Sequence, residues 1–214
     1  MLACGALAQS HPDVVEILKK VGETYRAAKE YQLISTSTGT AVPGRLLMAF
    51  KAPNMFRSEG ADPNLDNTDG TFDQTVLVCD GSSVWVYHVK RNEYAVFSVG
   101  DLAGDSRPEA MDDFAIGRFK NAADLAEEAR FLREEALERD DGKADCYVIT
   151  VPISVPGEGT TVHTWWVEKK SSRILREEHG TSSLVFATIK IGEALPDDVF
   201  KFVPPAGARK IVGH

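Results

Sequence analysis

The chain has 214 residues, a length that a single all-β domain can use to build a full core. Its 24 Lys and Arg stand against 32 Asp and Glu, and the net charge of -8 repels a phosphate backbone, so nucleic acid is excluded as an expected partner. Hydrophobic residues make up 43% and charged ones 26%, with no run of about 18 uncharged apolar residues such as a membrane-spanning helix requires.

Residues 1–10, MLACGALAQS, are small and apolar. Ala6-Leu7-Ala8 before Gln9 fits the small-x-small cleavage rule of a secretory signal, although the charged start and most of the apolar stretch of such a signal are missing. Two alternatives stand beside cleavage: lipidation of Cys4, or an unprocessed irregular terminus. The expectation is a residual signal peptide over 1–8 and one domain over 9–214, periplasmic, or outer-membrane anchored if Cys4 carries lipid. Cys79 and Cys146 lack C-x-x-C spacing and a neighbouring histidine, which argues against zinc or redox chemistry. In an oxidising compartment they could pair, but their apolar neighbours suit buried small hydrophobes equally well.

Residues 10–29 read as an amphipathic helix, with Val14, Leu18, Val21 and Tyr25 recurring at helical spacing behind Ser10 and Asp13 as cap residues. From Tyr31 the apolar period becomes two. Strands are expected at 31–37, 45–51, 55–60, 74–79, 84–88 and 94–99, the last three joined as hairpins by Asp80-Gly81 and Lys90-Arg91-Asn92. The Asp-, Asn- and Gly-rich stretch 58–73 reads as a loop. Helical character returns over 108–128, with Met111, Phe114, Ala115 and Phe119 on one side. The run RFLREEALER at 130–139 favours helix by propensity, yet the Asp140-Asp141-Gly142-Lys143 turn before the β-rich 145–151 demands an antiparallel partner, so it is assigned as strand. Three more strands follow at 161–167, 173–179 and 182–191, giving about eleven. Residues 195–211 alternate around Phe200-Lys201-Phe202 and end at Pro204-Pro205.

These elements predict a mainly β fold with some helix: a single strongly curved antiparallel sheet, an incomplete barrel, whose concave face is covered by the N-terminal helix and the mid-chain helical segment. Charge assigns the faces. Arg45 and Lys51 share a phase with Leu47 and Ala49, which leaves Leu46, Met48 and Phe50 inward, and Arg57 with Glu59 outward leaves Phe56 inward. Trp85 and Tyr87 are assigned inward as the aromatic phase of their strand. Val185 and Ile189 share an inward phase opposite Lys190, and Phe200 with Phe202 opposes Lys201. Such a face leaves a lipophilic cleft between sheet and helices; the alternative is a fully packed core without a cavity.

Three segments carry a resemblance to a known family. Phe50-Lys51-Ala52-Pro53-Asn54-Met55-Phe56-Arg57 is similar to a lysine-arginine-proline-asparagine-x-phenylalanine segment. The run from Val78 to Tyr87 looks like a DG-x-x-[LV]-W-x-Y hairpin, and the run from Phe200 to Gly207 like an F-x-F-x-PP-x-G ending. In order and spacing they resemble the outer-membrane lipoprotein carrier (LolA-like) family over nearly the whole mature chain. The resemblance implies a periplasmic, monomeric chaperone without cofactor that shelters the acyl chains of lipoproteins, receives them from an inner-membrane release protein and passes them to an outer-membrane acceptor. Read from the strand phases above, the expected cleft residues are Leu46, Met48, Phe50, Phe56, Trp85, Tyr87, Val185, Ile189, Phe200 and Phe202, and Phe56 also falls on an inner aromatic position of the family's first segment. Where the carrier has an arginine that holds its lid shut, this chain has Ala52, which offers no donor. Arg57 and Arg45 are the nearby substitutes, set against their ordinary role as solvated surface residues. The same fold also suits an anchored lipid-sensing or protein-binding module.

An enzyme reading finds less support. His11, His88, His163, His179 and His214 are scattered without His-x-x-x-His or Glu-x-x-His spacing, and His88 and His163 read as strand-end or surface residues. Gly81-Ser82-Ser83 lacks the second glycine of a nucleophile elbow. Acid pairs such as Asp112-Asp113 and Glu134-Glu135 read as solvated faces. Of Trp165 and Trp166, neighbours on a strand, only one can line a given cavity.

Overall fold

The computed structural model describes residues 12–40, 43–66, 72–102, 108–155 and 159–212; the expected signal segment and Cys4 lie outside them. Eleven long strands are β1 (Glu30–Thr38), β2 (Gly44–Lys51), β3 (Met55–Asp66), β4 (Phe72–Asp80), β5 (Ser83–His88), β6 (Glu93–Ser98), β7 (Arg130–Arg139), β8 (Gly142–Val155), β9 (Gly159–Glu168), β10 (Ile174–His179) and β11 (Ser182–Ile191). A two-residue β12 (Arg209–Lys210) brings the count to twelve. All belong to one open, curled sheet in the order β12-β6-β5-β4-β3-β2-β1-β11-β10-β9-β8-β7. Each hairpin is antiparallel, and β12 alone pairs parallel, alongside β6. Strand β1 sits between β2 and β11, so a long-range pairing closes the middle of the sheet and unites two meanders.

The 130–139 segment is strand, paired with β8 from Arg130↔Thr150 to Arg139↔Gly142, so tertiary pairing overrides its helical propensity. The loop expected from residue 58 is shorter than its composition suggests. Strand β3 continues to Asp66, with a register irregularity between Ala61 and Asp66 where the turn-forming residues fall.

Helix α1 (Val14–Arg26) starts at Asp13, whose carboxylate accepts from Val15 N and Glu16 N, and it buries Ile17, Leu18, Val21, Gly22 and Tyr25 against one face of the sheet, here called the inner face. The mid-chain segment is irregular: α2 (Pro108–Asp112), a π-helical turn (Asp113–Gly117), α3 (Arg118–Lys120) and a 3-10 turn (Ala122–Leu125). The π turn rotates the expected apolar stripe. Ala115, Ile116 and Phe119 are buried, but Phe114 is 69% exposed, contrary to its expected place on the same side. Helix α1 approaches this segment at Gly22, where an added Cβ would stand 3.1 Å from the Lys120 carbonyl oxygen; the Arg26 guanidinium donates to that oxygen at 2.6 Å.

The outer face of β2–β6 has its own cover. The chain after β11 crosses it, burying Leu195 and Phe200 against Ala49 and Met55, then laying Phe202 among Trp85, Tyr87 and Tyr94 with ring centroids 6.4, 5.8 and 5.7 Å away. Lys51 donates to Asp197 at 2.8 Å and Arg57 to the Val199 carbonyl at 3.3 Å, which ties this tail to the strands beneath. The outward phase of β2 therefore faces the protein's own tail there, and Ala49 is only 2% exposed. We expect Phe202→Ala to remove the half-buried hub of this aromatic group, at a cost of about 2 kcal/mol. Thermal unfolding should fall by about 4–8 °C, with a red shift in tryptophan emission as Trp85 loses its neighbour. An unchanged melting curve would contradict the packing.

Candidate functional site

The inner face can be read off the strand register. Phe50 pairs with Tyr31 on one side and Phe56 on the other, and Phe56 pairs with Cys79, which pairs with Val84. One pleat therefore runs Tyr31, Phe50, Phe56, Cys79 and Val84, and the next holds Leu33 and Met48. Across β1 lie Ile189 and Ile191, and farther on Trp165 and Ile149. Helix side chains fill the middle. Phe119 is fully buried, with its ring 5.0 Å from Tyr25, 5.3 Å from Trp165 and 5.9 Å from Phe186. The Tyr25 hydroxyl accepts from Ile174 N at 3.0 Å, and burial pushes its phenol well above the ordinary tyrosine range, so it stays neutral.

Leu46, Met48, Phe50, Phe56 and Ile189 lie on this face as expected. Trp85 and Tyr87 do not: Val84 and Val86 take the inner phase of β5, and the two aromatics point outward to Phe202. Phe200 and Phe202 belong to the tail on the outer face, not the cleft. Val185 is 37% exposed on the outer side, because register shifts from Ile34↔Thr188 to Ser35↔Phe186 and leave Ala187 as the extra residue of a bulge. That bulge flips every side chain beyond it, so Leu184 and Phe186 face inward instead. Trp165 faces in and Trp166 faces out, with the Arg176 guanidinium 4.8 Å from its ring centroid.

The polar part of the inner face was missed by sequence reasoning. Glu177 of β10, 4% exposed, accepts from Arg118 Nε at 3.0 Å and Nη2 at 2.6 Å, from Trp165 Nε1 at 3.0 Å, and from His163 Nδ1 at 2.9 Å. His163 Nε2 lies 2.9 Å from the Thr161 hydroxyl, and the ring stacks on His179 with centroids 4.5 Å apart. His163 is thus half-buried on the inner face of β9 rather than a solvated surface residue. Burial alone would raise the Glu177 carboxyl, but the His163 hydrogen bond, the Arg118 charge and hydrogen bonds, and the Trp165 indole outweigh it and hold the group at about 2. The charged run Arg176-Glu177-Glu178-His179 concealed this, because a strand of alternating charges normally marks solvent.

Arg118 stands in α3, so its pair with Glu177 ties the helical cover to the sheet. Ala52 lies exposed in the β2–β3 turn, while Arg57 faces the tail and Arg45 is exposed, so none of the three reaches the inner face. Beside the ion pair is a cavity of about 320 Å³ with mostly apolar walls, lined by Leu184, Ile153, Arg118, His163, His179 and Thr40 among others. Cys79 and Cys146 are both buried, on strands seven places apart in the sheet and so not paired with each other, and burial pushes the Cys146 thiol up to about 11, which makes it unreactive. Among the described residues no group of three His, Cys, Asp or Glu side chains is arranged to hold a metal ion.

No protein-family model matches the chain. It is 28% identical over 211 residues to an uncharacterised protein of Methanocaldococcus jannaschii, covering 96% of this chain and 55% of that one. It is 28% identical over 182 residues to an outer-membrane lipoprotein carrier protein of Albidiferax ferrireducens, covering 82% of this chain and 73% of the carrier. The chain thus spans about half the length of the archaeal relative and about three quarters of the carrier. Among solved structures, LprF from Mycobacterium bovis superposes with a TM-score of 0.59 at 11% identity, over 87% of this chain and 97% of that one.

The depressed Glu177 carboxyl contributes stability that is fully present above its ordinary value of 4.5 and is lost as pH falls through about 2. The gap corresponds to roughly 3 kcal/mol. Glu177→Gln should lower the unfolding free energy at pH 7 by about 3 kcal/mol, because it strands Arg118, and should flatten the decline between pH 4.5 and 2. Urea titrations across that window, wild type against variant, check both expectations; parallel curves would mean the carboxylate is not held as the geometry indicates.

Proposed function

We propose that this chain, whose fold is LolA-like, is a non-enzymatic binding protein for acyl chains, and that residues 108–125 form the lid of its site. One observation carries the reading: among the described residues, a continuous apolar face of a curled sheet is covered chiefly by one helix and a short, irregular helical segment. A regular helix would bring its own ladder of hydrogen bonds to hold it in place. A stretch that passes from α to π to α to 3-10 within 18 residues is poorly cohesive, and such irregularities recur at functional sites.

In the closed state Phe119 occupies the centre of the hollow. Lifting residues 108–125 would withdraw it and expose Tyr25, Trp165, Phe186, Phe50 and Met48, and an incoming chain would replace the lost contacts at about 0.8 kcal/mol per buried CH₂. The 28% identity to a lipoprotein carrier supports hydrocarbon as the ligand class. Export to the periplasm, residues 9–214 acting as one unit, lipoprotein as the cargo and hand-off between membrane partners extend this proposal.

Delipidated protein should take up a fluorescent fatty acid saturably and release it to a competing lipopeptide. Phe119→Ala should lose about 3–5 kcal/mol of stability, as a large buried side chain does, and take up the probe faster and more tightly. Destabilisation without any gain in uptake would show Phe119 to be ordinary core, and absence of uptake by the wild type would remove the basis of the reading.

A further inference from the structure

We propose that the cavity beside Glu177 selects a single-chain amphiphile with an anionic head, a fatty acid or a lysophospholipid, whose head group lies between Arg118, His179 and Thr40. This rests on the reading that the inner face takes up hydrocarbon, and it names the ligand class.

The cavity differs from others of its size. A space of about 330 Å³ near Asp124, Glu127 and Glu128 has walls about half polar and half apolar, and one of about 370 Å³ near Asp140, Asp141 and Glu168 has mostly polar walls; each is lined by several carboxylates. The 320 Å³ cavity has mostly apolar walls, and Glu177 is the one acid among its lining residues. That acid is saturated. Its two oxygens already accept from Arg118 Nε and Nη2, Trp165 Nε1 and His163 Nδ1, so a cationic or hydroxyl head finds no acceptor there. Donors, by contrast, remain. Among the described residues Arg118 Nη1 carries no hydrogen bond, His179 makes only its ring stack on His163, and the buried Thr40 hydroxyl has no partner. A pocket with uncommitted donors, a cancelled negative charge and apolar walls complements an acceptor-rich, negatively charged head on a hydrocarbon stem.

Size limits the stem. At the low end of the range of about 300–1,000 Å³ typical of small-molecule sites, the cavity suits one chain, not the several chains of a diacyl or triacyl lipid. A head group drawing on Arg118 would also compete with Glu177 for the guanidinium, so binding would loosen the tie between lid and sheet.

Displacement of a fluorescent fatty acid from delipidated full-length protein tests this, with competitors below their micellar concentrations. The panel is oleate, oleoyl-lysophosphatidylglycerol, oleyl alcohol, oleylamine, dioleoylphosphatidylglycerol and a triacylated lipopeptide. Oleate or the lysophospholipid should bind one per protein and at least tenfold tighter than the alcohol, the amine and the multi-chain lipids; which of the two leads identifies a carboxylate or a phosphate head. His179→Ala should reduce the preference for oleate over the alcohol at least threefold. Equal affinity for oleate, alcohol and amine would overturn the head-group site while leaving the hollow as a hydrocarbon site, and tighter binding of the diacyl or triacyl lipid would overturn the single-chain limit. If no probe binds, the acyl-binding reading itself fails and this inference falls with it.

Discussion

A carboxylate buried in an apolar hollow persists only if its charge is matched, and here the match comes from the segment that covers the hollow. Glu177 is on the sheet and Arg118 on α3, so the position of the helical cover is fixed by electrostatics as well as by the seating of Phe119. The other two donors to Glu177, His163 and Trp165, belong to β9 and stay with the sheet whatever the cover does. This arrangement lowers the cost of separation. An isolated buried pair would leave a bare charge when split, whereas Glu177 keeps two hydrogen bonds and Arg118 moves toward water. If the cover lifts as proposed, this contact would define the closed state and still be separable.

The two faces of the sheet are managed differently. On β2–β6 the inner face meets helices and the outer face meets the tail, so those strands are covered on both sides and their two phases are both partly apolar. That is why charge identified the faces of β2 and β3 correctly and failed at β5. Arg45, Lys51, Arg57 and Glu59 mark the outer phase unambiguously, while Val84-Trp85-Val86-Tyr87 holds no charge, and side-chain bulk alone points to the wrong phase. Val84 and Val86 pack into the inner core instead, and the two rings lie with Phe202 under the tail.

The succession of strands along the chain, the helix at 14–26 and the strand at 130–139 were legible because local pattern and turn chemistry agreed with the final pairing. What sequence could not reveal depended on events one residue in size. A single bulge at Ile34/Ser35 inverts Val185 and Phe186, and a π turn at 113–117 sends Phe114 outward while Phe119 stays inward. Neither leaves a mark in composition or periodicity. The polar cluster was hidden for another reason: Glu177 and His163 look solvated in their own strands, and only the sheet order that sets β9 beside β10 under α3 brings them together.

The filled centre of the hollow bears on how much the site can hold. Because Phe119, Tyr25 and Trp165 already pack against one another, a ligand gains only the difference between its own contacts and those it displaces. A single chain entering beside Glu177 displaces little, since a cavity is already there, and its head meets donors that are otherwise unused. Several chains would have to lift residues 108–125 completely, break the Arg118–Glu177 pair and expose an apolar sheet before any gain. On the proposed reading, filling would therefore proceed in order of cost, with the polar end of the hollow taking the first chain and the aromatic centre yielding only to a ligand large enough to replace it.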